Sequence, residues 1–157
     1  MGELSCDTKR LPSRAALCWT AFLVASCGGG GGSGEVVVPF EPLTIPGLHA
    51  QGTYVVRSES ELTTLLAATL LPFRVDPPPT LSVDFGRNMV VGVSLGLGRF
   101  CNVVEIKSVT RSGADYKITY KQTVGSTTTA CGLIVPLEAF ALVAQSAGNV
   151  SFTRDDA

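Results

Sequence analysis

The chain has 157 residues, a formal charge of −1, 45% hydrophobic residues and only 16% charged ones. That length holds one ordinary domain. The hydrophobic fraction belongs to a folding chain rather than a disordered one. The near-neutral charge leaves no basic footprint for nucleic acid. A single histidine, His49, and scattered acidic residues argue against a multi-ligand metal site, and no cofactor is expected.

Residues 1–26 read as an export signal. Lys9, Arg10 and Arg14 form a positive patch, residues 15–25 are apolar except for Thr20, and the small residues Ala25 and Ser26 precede Cys27. A positive start, a short apolar core and small residues at the exit mark a secretory signal. The apolar run falls short of the roughly 20 residues needed to span a bilayer. Val24-Ala25-Ser26-Cys27 resembles the lipobox of bacterial lipoproteins, which implies cleavage before Cys27 and acylation of its sulfur. A plain signal peptide cut near the same point, or a buried amphipathic segment, is the alternative. The Gly/Ser run that follows is a flexible tether, with an r.m.s. reach of roughly 15 Å for about eight residues. The same resemblance to lipoproteins, in which Asp after the Cys commonly holds the chain at the inner membrane, makes Gly28 imply the outer membrane of a host that has one. The expected organisation is a signal peptide over 1–26, a lipidated Cys and tether over 27–34, and one domain over 35–157.

The domain opens with an extended, proline-punctuated segment in which residues 36–38 form a short strand. Residues 53–57 (Thr-Tyr-Val-Val-Arg) are β-branched and aromatic, a strand. Ser58-Glu59-Ser60-Glu61 is a capping box. Leu62, Leu65, Leu66 and Leu70 follow as one apolar stripe, so a helix is expected from there to Pro72. Residues 89–95 are almost continuously apolar, the pattern of a central strand covered on both faces. Gly96-Leu97-Gly98 is expected to break it, leaving a turn over 96–102. Residues 103–109 and 116–120 alternate around a turn and form a hairpin. Residues 140–143 and 150–152 supply two closing strands. One helix on a mostly antiparallel sheet is an α+β domain.

Cys101 and Cys131 are the two cysteines left in the folded part after cleavage. An even count in an exported chain favours a disulfide between them; two separate buried thiols are the alternative. Asp84, Arg87 and Glu105 read as solvated turn and strand-face charges. Ser94, Ser108 and Ser151 sit in no nucleophile elbow, and His49, in a Pro-rich stretch, reads as an exposed loop residue rather than a base. No enzyme is therefore expected.

The stretch 83–96 (Val-Asp-Phe-Gly-Arg-Asn-Met-Val-Val-Gly-Val-Ser-Leu-Gly), followed by Val104-Glu105-Ile106, resembles the PrcB-like family, named after a lipoprotein subunit of a bacterial surface protease complex. The likeness covers most of residues 50–154. Where that family's turn carries a Thr-Gly-Gly-Tyr-type sequence, this chain has Gly98-Arg99-Phe100-Cys101. The resemblance implies a small, non-catalytic lipoprotein that binds or stabilises another exported protein, a protease in the family's founding case. An inhibitor that inserts a loop into a protease cleft is the second reading, and a small-ligand carrier is the third. In the first two, Arg99 and Phe100 are the anchor residue types. The opposing reading has Phe100 folding back onto the core.

Overall fold

The apolar run from Met89 to Val93 forms the first half of strand β4 (Asn88–Arg99), and both of its faces are buried. The computed structural model describes residues 34–70, 80–125 and 131–156. In chain order the other elements are β1 (Val36–Val38), β2 (Glu41–Leu43), β3 (Gly52–Val56), helix α1 (Glu59–Ala67), β5 (Val103–Ser112), β6 (Asp115–Thr123), β7 (Ile134–Ala144) and β8 (Val150–Asp155). They form two four-stranded sheets, ordered β1-β5-β6-β8 and β2-β7-β4-β3. Pairing is antiparallel throughout, except that β8 lies parallel to β6.

The alternation of each strand decides what the sheets share. Met89 and Val91 of β4 and Ala141 and Val143 of β7 pack with Val109, Tyr116 and Ile118 from the other sheet, so the two sheets face each other across one core. The intervening residues Val90 and Phe140 point the other way, into a second cluster with Ile45, Val56, Leu62 and Leu65. A strand covered on both faces has no polar side to alternate with, which is why β4 reads as one apolar run. A third cluster of Val93, Val104 and Leu137 continues the inter-sheet layer toward one end.

Several expectations need adjusting. Ser58 is the N-cap, its Oγ accepting from Glu61 N at 3.3 Å, but the Glu61 carboxylate accepts from Arg57 N at 2.5 Å rather than from the cap residue itself. The helix also stops at Ala67, well before Pro72. Leu70 donates its amide to Leu48 O at 2.8 Å. That partner is incompatible with an intrahelical bond, so Leu70 leaves the apolar stripe and is 45% exposed.

The expected break at Gly96 is a β-bulge instead. Pairing with β7 shifts between Ser94 and Leu97, then resumes through Leu97↔Pro136, Gly98↔Val135 and Arg99↔Ile134. Gly96 takes φ +79, a conformation that costs glycine little, and its N–H donates to Ser94 Oγ at 3.2 Å. The turn of 96–102 thus shrinks to Phe100 and Cys101, closed by Asn102 N donating to Arg99 O at 2.8 Å. Strand β2, not expected, sits on an edge of its sheet, the position where a strand tolerates a proline such as Pro42.

Candidate functional site

The two longest strands, β4 and β7, deliver one end of the molecule. Arg99 closes β4 opposite Ile134, which opens β7, and Phe100 N donates to Leu133 O at 2.8 Å. Just beyond, Cys101 and Cys131 stand at disulfide distance, with Cα atoms 5.3 Å apart. Closing a loop of 30 residues' separation restricts the unfolded chain, which chain-entropy reasoning values at roughly 3.5–4 kcal/mol. Cys101, Cys131, Arg99, Val124 and Ile134 line a recess of about 420 Å³.

This end is unusually apolar for a surface. Among the described residues, six of the nine exposed large hydrophobics gather here: Leu97, Phe100, Val103, Val124, Leu133 and Ile134. Phe100 is 59% exposed and Leu133 68%, so Phe100 does not fold back onto the core. Single exposed apolar residues are ordinary, whereas a concentration of them at one end stands out from an ordinary surface. Arg99 is exposed beside them.

The sequence did not lead to a second constellation, buried one layer in. His49 is 1% exposed, not an exposed loop residue. Its backbone N–H donates to Glu138 Oε1 at 2.6 Å, and its ring Nδ1 bonds Glu138 Oε2 at 2.9 Å. Ser94 Oγ donates to the same Oε1 at 3.0 Å and lies 3.1 Å from His49 O. The carboxylate of Glu138 on β7 therefore ties the segment before β3 to β4. The Tyr54 and Phe140 rings meet the imidazole edge-on at 6.1 and 5.5 Å. Burial, and secondarily the Glu138 charge, push the Tyr54 phenol above its ordinary pKa of 10.0. Two cues were present: a lone carboxylate inside the apolar run of β7, and Ile45 and Leu48 just before His49.

This cluster does not have the geometry of a serine nucleophile. A serine nucleophile needs its hydroxyl on the imidazole that takes its proton. Here Ser94 bonds the carboxylate directly, and His49 Nε2 is buried with no partner among the described residues. Asp84 and Arg87, 3.6 Å apart, and Glu105 and Lys107, 3.3 Å apart, are exposed pairs of the solvated kind. Among the described residues no group of three or more His, Cys, Asp or Glu side chains is arranged to hold a metal. Cys27, the expected lipidation site, and the tether to residue 33 lie outside the described residues. No protein-family model, curated protein or solved structure matches this chain.

Proposed function

We propose that this chain is a non-catalytic lipoprotein of the bacterial envelope, held to a membrane through Cys27, whose domain binds or stabilises another exported protein. The observation that carries the reading is the apolar end built from Phe100, Leu133, Ile134 and Leu97, with Arg99 at its margin. Aromatic and arginine side chains are the types that dominate binding energy at protein contacts. Strand pairing and the cysteine pair hold them on a rigid base, so little conformational entropy is lost when a partner arrives. The likeness of residues 83–106 to the PrcB-like family supports the same reading and makes a surface protease one partner to look for. An inhibitor role is weaker, because the turn that would enter a cleft is only two residues long.

Exchanging both Arg99 and Phe100 for Ser tests the proposal. Both side chains are exposed, so the unfolding midpoint should stay nearly unchanged. Co-purification of the partner from detergent extracts of the native membrane should weaken by about tenfold or more, or about 1.4 kcal/mol. Full partner recovery by the double variant would remove this end of the molecule from the contact.

A further inference from the structure

A second opening, between the two sheets, shows up in the strand alternation. On β6 the residues facing the opposite sheet are Tyr116, Ile118, Tyr120 and then Gln122; the first two lie in the central core and Tyr120 packs on the third cluster. On β8 the parallel register sets Phe152 beside Ile118 and Arg154 beside Tyr120. The core-facing row of β8 therefore turns polar at Arg154, level with Tyr120, and that of β6 turns polar one step further on, at Gln122. Polar residues at core-facing positions stand out unless they have a use.

Here they line a cleft of about 530 Å³ together with Gln51 and Asn102, floored by Val93 and Leu137. That volume is within the range of small-ligand sites. Gln51 Nε2 is engaged with Leu95 O at 2.9 Å. Among the described residues, the side-chain amides of Gln122 and Asn102 make no hydrogen bond, so donors and acceptors face the opening.

Charge sets the class of ligand. Arg154 is the one ionised side chain among the described residues lining the cleft, and it is 45% exposed. Asp156 Oδ1 bonds its Nε at 2.7 Å, an exposed pairing that a ligand can compete with. Lys121 and Asp155 occupy the alternate positions of β6 and β8 and point to the other face of their sheet. Glu138 is shut away behind Ser94, its oxygens taken by His49 and Ser94.

We propose that this cleft binds an N-acylated α-amino acid through its carboxylate, either as the free compound or as the C-terminus of a peptide. The guanidinium of Arg154 takes the carboxylate. The amides of Gln122 and Asn102, each both donor and acceptor, pair with the acyl amide. The aliphatic floor receives the side chain. The cleft borders the apolar end, with Leu97 belonging to both, whereas Gln122 and Arg154 line the cleft and not the recess beside the cysteine pair.

Equilibrium dialysis of the full chain against radiolabelled N-acetyl-leucine tests it, with N-acetyl-leucinamide as a neutral competitor. Binding should saturate, and the amide should compete at least about tenfold less well. Arg154→Gln should weaken binding by about tenfold or more, and Gln122→Leu, which keeps the size of a core-facing side chain, by at least about threefold. Unfolding midpoints of both variants should stay near the parent's. If N-acetyl-glycyl-alanyl-leucine competes better than N-acetyl-leucine, the source is a peptide C-terminus; equal competition assigns the free acyl amino acid. No saturable binding up to about 10 mM, equal competition by the amide, or full affinity in Arg154→Gln would each overturn the proposal.

Discussion

Glu138 shows how much one side chain can organise. Its two oxygens accept from His49 N, His49 Nδ1 and Ser94 Oγ, all in a region where His49 has almost no solvent access. Glu138→Ala strands those donors away from water, and leaving buried groups unpaired is the expensive half of a hydrogen bond. The expected loss is about 3 kcal/mol in chemical unfolding, against about 2 kcal/mol for Ser94→Ala, which removes one donor to that carboxylate and the acceptor of Gly96 N–H. Equal losses would show that Glu138 is not the centre of the cluster. Tyr54 adds a pH dependence whose sign follows from its raised phenol pKa. Above pH 10.0 the unfolded chain gives up this proton before the folded one does. The stabilisation is therefore complete below that pH and is lost as pH rises through the folded value. Unfolding midpoints measured from about pH 8 to pH 11 should fall more gently in Tyr54→Phe than in the parent.

Strand β4 depends on side chains it lacks as well as on those it has. Gly92 pairs with Phe140 on β7, and the ring lies where a Cβ at Gly92 would stand. Gly92→Ala forces that ring out of its position against His49 and Tyr54. Overpacking of this kind should lower stability by about 2 kcal/mol in urea titrations, and a neutral result would mean the ring has room to turn. The bulge at Gly96 acts at the same scale. By absorbing one irregularity within the strand, it lets β4 run on to Arg99 and present Phe100 beside Leu133. An apolar pattern followed by two glycines reads equally as a strand that ends and as one that bulges. The difference lies in whether β7 offers partners beyond the irregularity.

At the scale of the molecule, the proposed function joins an anchored N-terminus to a rigid domain. The Val24-Ala25-Ser26-Cys27 box and the glycines behind it predict that the native protein begins at acylated Cys27. Intact mass should show that start with added acyl mass, and Cys27→Ala should leave the membrane fraction. Two or three acyl chains hold far more firmly than one, at roughly 0.8 kcal/mol per buried methylene. A wild-type protein recovered full-length and free of membrane would end the lipoprotein reading.

The sequence alone determined whatever depends on neighbours in the chain. Ser58 caps a helix because its hydroxyl reaches an amide three residues on. The hairpin of β5 and β6 turns at Gly113 and Ala114 because glycine accepts a positive φ of 62° there. The apolar run of β4 announced burial on both faces. Tertiary structure alone decided what depends on residues far apart. His49 looked solvent-facing in its proline-rich surroundings, and only Glu138, 89 residues away, makes its burial tolerable. Leu70 matched the helical stripe until Leu48 claimed its amide. Gln122 and Arg154 each look like ordinary strand polarity. Their place on neighbouring core-facing rows of one sheet follows from the parallel pairing of β6 with β8, a long-range choice that no local spacing encodes.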